Sequence, residues 1–312
     1  FNDASKVCDL LGIPLHRANF SDEYWDRVFK DFLSEHEKGR TPNPDILCNR
    51  EIKFKSFLDY AFKIGADYIA TGHYANTVKK NNVTYLARAR DASKDQTYFL
   101  HEVSSNEFAK TIFPLANMKK SEVRDLALSL GLVNASKKDS VGICFIGERN
   151  LKDFLGRFID FKAGDIKDDQ GNVIGKHKGS LLYTEGQRQG LMIGGVKGRP
   201  ELPWYVYKKD ILNNIIYVCQ GVDNALLMSS KVVLDSVHQI NEGQLQLPLE
   251  CSVQVRHLQK PIPAELNCLN SIYYIDFKEP VRAAAPGQSA VIYKDDICIG
   301  GGIISKSFNA IK

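Results

Sequence analysis

Long apolar runs and paired cysteines are both missing from this chain. No stretch approaches the ~18 residues that a membrane-spanning helix needs, and no signal peptide is visible. There is no Cys-x-x-Cys and no His/Cys cluster with zinc-finger spacing, so no structural metal is expected. The seven cysteines (Cys8, Cys48, Cys144, Cys219, Cys251, Cys268 and Cys298) are odd in number and scattered. That pattern points to a reduced compartment, the cytoplasm or an organellar matrix, with most thiols buried. Internal repeats and low-complexity segments are absent as well. Nor is there a large excess of either charge. Forty-one Lys and Arg against 37 Asp and Glu leave +4, a balance that favours a nucleic-acid partner only slightly.

What is present is ordinary globular composition: 312 residues, 44% hydrophobic and 25% charged. That length suggests roughly two or three domains. Phe1 opens on NDASKVCDLLGIP, which reads as the tail of a helix ending near Gly12 and Pro14. The natural beginning is therefore expected to lie upstream. LHRANF (15–20) has strand character, and SDEYWDRVFKDFLSEHEKG reads as an amphipathic helix capped by Ser21 or Asp22. Trp25, Val28, Phe29, Phe32 and Leu33 would form its apolar face. EIKFKSFLDYAFKIG is a further helix, and ADYIATGHYA a short strand running into Thr71-Gly72-His73. Such alternation predicts a mostly parallel sheet with ligands beyond the carboxyl ends of its strands. KKSEVRDLALSL (119–130) is a helix closed by Gly131. Cys144 falls in a short apolar strand within KKDSVGICFIGERN, and LKDFLGRFI is a short helix. From about residue 160 the texture turns to strands and turns, and from about 230 to alternating β, as in a closed barrel or sandwich.

Several segments carry polar residues in suggestive settings, each with two readings. In TPNPDILCNREIKF (41–54), Cys48 is either a small buried hydrophobe or a reactive thiol, and Asp45 either a helix cap or a proton-handling carboxylate. Pro42 and Pro44 stiffen the loop that carries them. Cys144, between Gly142 and Gly147, is equally ambiguous. Lys94, Asp95 and Gln96 are either a solvated helix start or contacts to a phosphate or base. GQRQG (186–190), KGR (197–199) and Lys208-Lys209 are either surface turns or phosphate-backbone partners. Gly300–Gly302 does not follow a strand and open a helix, which rejects a dinucleotide fingerprint.

GRTPNPDILCNREIKF, ATGHYA, KDQTYFL, VGICFIG, GQRQGL and APGQSAVIY occur in this order along the chain. With them the sequence resembles the tRNA-specific 2-thiouridylases, tRNA sulfurtransferases that install sulfur at position 2 of the wobble uridine. The resemblance covers essentially all 312 residues. It implies an α/β plus β protein in three parts. An ATP-pyrophosphatase-like (adenine nucleotide alpha hydrolase-like) parallel-sheet domain would occupy 1–150, a small central β-rich domain 151–225, and a C-terminal β-barrel 226–312.

The resemblance also implies the chemistry. ATP, with Mg2+ on its phosphates, would adenylate the uridine C2 oxygen, and a cysteine persulfide would replace the adenylate with sulfur. Cys144 resembles the persulfide carrier, and Cys48 the partner that releases sulfur by forming a disulfide with it. Asn43, Pro44 and Asp45 resemble the loop that meets the target base, with Asp45 as acid/base. Gly72 resembles an ATP contact. His73, Lys94, Asp95, Gln96, Arg256, His257 and Gln288 resemble tRNA contacts. The partners implied are tRNAs of the Lys, Glu and Gln types and a sulfur-carrier protein or cysteine desulfurase as donor, with the enzyme a monomer and no membrane involved. The family's SGGxDS-type pyrophosphate loop would precede these residues and is not among them. Two other classes compete: a non-catalytic RNA-binding remnant, and an adenylating ligase acting on a small molecule. Two placed cysteines favour the thiotransferase, since neither alternative needs them.

Overall fold

The computed structural model describes residues 1–138, 151–243 and 245–310. Helices cover Asn2–Leu11, residues 21–37, residues 44–63 and Lys120–Ser129. Two of them widen midway: Trp25–Phe29 and Cys48–Ser56 are π-helical, a form frequent at functional sites. Val28, Phe29 and Phe32 of the first meet Cys48 and Ile52 of the second, with Leu155 closing the cluster. Burying a large apolar side chain is worth about 1.5–3 kcal/mol, so this aromatic seam fixes the two helices against each other.

Local expectations hold unevenly. Trp25 stays 43% exposed at the margin of the apolar face assigned to it, its ring 5.0 Å from that of Phe29. Neither Ser21 nor Asp22 caps the 21–37 helix: Phe20 stands at the N-cap with no side-chain cap bond, and Asn19 Oδ1 just before it accepts the Ser21 amide at 3.1 Å. The stretch 15–20 is irregular and not a strand, because strand-forming residues need a neighbour to pair with. The strand expected around Cys144 lies outside the described residues.

Next come β1 (Ile69–Ala70), the hairpin β2–β3 (Asn76–Lys80 and Val83–Ala87) and β4 (Thr111–Ile112). β1 and β4 pair in parallel. The hairpin turns at Asn81 and Asn82, with φ of 48° and 62°, the left-handed conformation that two-residue turns require and Asn tolerates. The hairpin leaves its own neighbourhood, and β3 pairs antiparallel with β15 (Ile297–Asn309) of the C-terminal sheet.

The middle of the chain forms β5 (Gly164–Lys167), β6 (Val173–His177), β7 (Trp204–Asp210) and β8 (Ile215–Gln220) in the order β6-β5-β8-β7. The C-terminal part contributes β9 (Met228–Leu234), β10 (His238–Gln239), β11 (Leu249–Gln254), β12 (Ile262–Leu269), β13 (Ile272–Arg282) and β14 (Ser289–Lys294). Strands run β14-β11-β12-β13-β9-β15, and β15 pairs back onto β14, closing a six-stranded antiparallel barrel. Val232, Val253, Leu266, Ile275, Ile292 and Ile304 fill it. The triple glycine serves close strand approach. A Cβ on Gly301 would lie 2.6 Å from the Ala290 oxygen and 2.7 Å from the His101 ring.

Candidate functional site

The loop before the 44–63 helix is fastened at three consecutive residues to three parts of the protein. Gly39 O accepts from Lys209 Nζ at 2.6 Å, and Arg40 pairs with Glu35 and with Asp235 of the barrel domain. Thr41 is held at three points. Its amide donates to Pro286 O at 3.1 Å, its carbonyl accepts from Gln288 Nε2 at 2.6 Å, and its hydroxyl lies 3.2 Å from that of Thr184. Gly287 permits this: its φ is +89°, and a Cβ there would come 2.6 Å from the Thr41 nitrogen. The loop then enters the helix through Asn43, whose Oδ1 accepts the Asp45 amide at 3.1 Å, with Pro44 in the first turn. The cap is thus Asn43.

Asn43, Pro44 and Asp45 line a cavity of about 870 Å³ with Phe32, His36, Leu155, Lys178, Tyr183 and Gln288 among its other walls. A second cavity of about 490 Å³ shares Thr41, Thr184, Gln187, Gln189 and Gln288 with it and adds Arg188 and Arg256. Together they make a mixed apolar and cationic hollow, large enough for a nucleobase and its phosphates, with Asp45 the one carboxylate on its wall among the described residues.

Cys48 follows one turn into the helix, at the first residue of the π-helical stretch, and is fully buried in the aromatic seam. Neighbouring Asn49, also buried, donates to Phe99 O at 2.9 Å and ties the helix to the 94–100 segment. Cys144, the other cysteine singled out, lies outside the described residues.

The residues expected to meet RNA form a connected band. Asp95 O accepts a hydrogen bond from His257 Nε2 at 2.9 Å, and the ring of Phe99 lies 4.4 Å from that of His257. Arg256, next in chain, passes Nη2 to the Glu185 carbonyl and borders the smaller cavity with Gln288. Gln96 exchanges bonds with the backbone of Tyr74, beside His73. Two members face inward. The Asp95 carboxylate is 4% exposed, accepting the Ala89 and Thr97 amides at 2.7 and 3.2 Å with Arg88 3.6 Å away. His73 packs against Phe54 and Phe113, and its Nδ1 lies 2.9 Å from the Thr71 hydroxyl. Burial, with Lys53 nearby, drives its pKa down to about 3. Gly72 is exposed just past the carboxyl end of β1, with open space where a Cβ would be.

Sequence reasoning missed the groups behind the cavity. His36 is 5% exposed and its pKa is lowered to about 4 by burial and by Lys209. Glu185 is raised to about 7 by burial, against the pull of Lys209 and Arg256. Lys209 is lowered to about 8 by burial, with Glu185 opposing. Lys208-Lys209 had suggested a phosphate partner, but the Lys209 ammonium is committed to Gly39. Arg199 is likewise committed to Asp168 and Asp169. Glu185 sits one residue before GQRQG, the signal that could have drawn attention to it.

Comparison with known proteins follows this anatomy. Residues 1–148 match the tRNA methyl transferase HUP domain, 152–220 the tRNA methyl transferase PRC-barrel domain, and 229–304 the aminomethyltransferase beta-barrel domain. The tRNA-specific 2-thiouridylase MnmA of Pasteurella multocida (strain Pm70) is 50% identical over 304 residues, covering 97% of this chain and 79% of its own. The namesake from Actinobacillus succinogenes is 51% identical over 304 residues, covering 97% and 78%. That of Legionella pneumophila (strain Lens) is 49% identical over 309 residues, covering 97% and 84%. This chain belongs to the tRNA-specific 2-thiouridylase family.

Proposed function

We propose that this protein is a tRNA sulfurtransferase that converts the C2 carbonyl of wobble uridine into a thiocarbonyl in an ATP-dependent reaction. The observation that carries this reading is the clasped loop 41–45, which sets Asp45 on a base-sized cavity one turn before Cys48. Positioning of this kind replaces an encounter by a prearranged geometry.

The chemistry requires activation first, because an oxygen on C2 is a poor leaving group. ATP is a substrate here: the oxygen attacks the α-phosphate, pyrophosphate leaves, and C2 carries an adenylate. Gly72, open beyond β1, suits close approach of the nucleotide, with Mg2+ accompanying its phosphates. The persulfide on Cys144 attacks C2 and AMP departs, leaving a Cys144–S–S–C2 linkage. Cys48 as thiolate then attacks the Cys144 sulfur, a Cys48–Cys144 disulfide forms, and the thiouridine leaves. Two external thiols, or one dithiol, supply the two electrons that restore the cysteines and are themselves oxidised to a disulfide, and a sulfur-carrier protein or cysteine desulfurase reloads Cys144. Asp45 moves protons at the base. Lys94, Gln96, Arg256, His257 and Gln288 face the RNA, while Asp95 and His73 hold that surface from behind. We assign the division 1–150, 151–225 and 226–312, tRNAs of the Lys, Glu and Gln types, and a cytoplasmic location to the same reading.

A strain lacking the gene should lose 2-thiouridine from its tRNA by mass spectrometry, and regain it with the gene restored. Unchanged thiolation with altered small-molecule pools would instead indicate a ligase. For recognition, Lys94→Gln and Arg256→Gln should each lower tRNA affinity. Each should also reduce the log–log salt slope by roughly one, the signature of one lost phosphate contact. Unchanged slopes in both would take these residues off the RNA surface.

A further inference from the structure

Lys209 lies at the end of β7 in the central domain, whereas its ammonium reaches back to the N-terminal domain, 2.6 Å from the Gly39 carbonyl. Nothing in the RNA-contact band requires it there. Gly39 itself is pinned: its φ is +77°, and a Cβ would stand 2.3 Å from the Ile211 side chain, two residues beyond Lys209. The contact is therefore built from both sides, by a glycine that lets the β7 end approach and by a lysine that closes on the carbonyl. From Gly39 only five residues lead to Pro44, with Arg40 and Thr41 fastened in turn. A shift at Gly39 is passed along a short, proline-stiffened path to Asp45.

We propose that Lys209 is a positioning residue for thiolation, clamping the Gly39 carbonyl so that the 39–45 loop presents Asp45 to the cavity, with Glu185 as the counter-charge of the clamp. The proposal rests on the thiolation reading above and extends it to a group outside the RNA surface. Glu185 belongs to the same joint. Its neighbour Thr184 meets the Thr41 hydroxyl, its carbonyl takes the Arg256 guanidinium, and the Gly186 amide bonds to Val206 O of β7 at 2.7 Å. Among the described residues, the charged and titratable groups facing the pair are His36 on the 21–37 helix, Arg256 from the barrel and Lys208 beside it. His36 is neutral at working pH, so its ring adds no competing cation. A charge-assisted bond to a carbonyl is roughly twice as strong as a neutral one. The clamp is therefore firm while Lys209 is an ammonium, and it loosens as pH rises through about 8.

The test compares wild type, Lys209→Met, Lys209→Arg and Glu185→Gln in the whole protein. Lys209→Met should lower kcat for thiolation about tenfold or more with KM for tRNA within about twofold, as expected when positioning and not binding is lost. Lys209→Arg should recover most of kcat and lose the decline above pH ~8. Independently of activity, amide hydrogen exchange at Thr41, which reports its bond to Pro286 O, should be at least about tenfold faster in Lys209→Met. Glu185→Gln keeps the lysine but removes the carboxylate that sustains its charge, so the alkaline decline should begin at lower pH. It decides the matter if Lys209→Met does not fold. A rise in KM alone would make Lys209 an RNA contact and overturn the proposal. So would unchanged Thr41 exchange in Lys209→Met, or an alkaline limb that Glu185→Gln leaves in place. If wild type itself failed to thiolate tRNA, the functional reading would fall, while the exchange result would still decide whether the clamp exists.

Discussion

Replacing Cys48 by serine is expected to cut sulfur transfer by at least ~10³-fold, about 4 kcal/mol of barrier, with tRNA affinity within about twofold of wild type. The step at stake is cleavage of a sulfur–sulfur bond, which needs a thiolate, and a serine hydroxyl stays protonated at neutral pH. Cys48 is fully buried among Tyr24, Phe29, Phe32, Ile52 and Leu155. A hydroxyl there costs about 1–3 kcal/mol of stability if it finds no partner, so lost activity could be confused with partial unfolding. Cys48→Ala removes that ambiguity, since it adds no polar group and is expected to be just as inactive. Cys298→Ser provides the opposite control. Cys298 is equally buried but sits in the cluster around Leu86 and Tyr293, so its substitution should lower stability and leave thiolation intact. The assay is mass-spectrometric detection of 2-thiouridine formed with a physiological sulfur donor. If Cys48→Ser retained more than about a tenth of wild-type activity, Cys48 would be only what its burial suggests, a small apolar side chain in a core. The same loss is expected for Cys144→Ser, whose sulfur the mechanism loads first.

How far the sequence anticipates this site depends on the range over which each feature is decided. The short-range features were legible. A helix after the proline loop was legible, although it starts at Pro44 and not at Glu51, and the oxygen that caps it belongs to Asn43 and not to Asp45. Alternating β after residue 230 announces a barrel, and the closure of β15 on β14 agrees. What was not legible is decided by contacts between residues far apart in the chain. Nothing near Gly39 in sequence says that Lys209 will bond to it, and nothing near Asp45 says that Gln288 will hold the loop. Lys208-Lys209 reads as surface charge because a lysine pair looks the same whether its ammonium meets water or a carbonyl. Asp95 illustrates the converse. Its local pattern suggests a polar helix start open to a ligand, yet the fold turns its carboxylate onto two amides of its own loop region. The hairpin 76–87 crosses to the barrel sheet for a reason equally invisible locally, since β3 finds its partner more than 200 residues away at Ile297 and Cys298.

Two histidines, the buried His36 and the half-buried His73, lead to the other large expected effect, a loss of folding stability in mild acid. His36 and His73 have ordinary values of 6.5 lowered to about 4 and about 3, mainly because burial penalises the imidazolium. The unfolded chain therefore binds more protons than the folded one below pH 6.5. The stability these rings contribute is fully present above pH 6.5 and is lost as pH falls towards their folded values. Down to pH 4.5 that amounts to about 3 kcal/mol for each ring, taking 1.36 kcal/mol per tenfold change in proton binding. Glu185 acts in the opposite sense. Its value is raised from 4.5 to about 7, so the folded state holds its proton more tightly and regains about 3 kcal/mol over the same descent. His36 and His73 together outweigh Glu185 by roughly 2–3 kcal/mol, a large fraction of a typical folding free energy of about 5–15 kcal/mol, and the lowered values of His101, His177, His238 and His257 act in the same sense. Wild type should accordingly be less stable at pH 4.5 than at pH 7 by chemical denaturation. The double variant His36→Gln, His73→Gln removes these two titrations while leaving Glu185 and the other histidines that burial lowers, His101, His177, His238 and His257, so it should lose clearly less stability than wild type over the same interval. A double variant that still lost as much stability as wild type between pH 7 and 4.5 would move the cause of acid lability away from these two rings, and with it the inference that His36 stays neutral behind the Asp45 cavity.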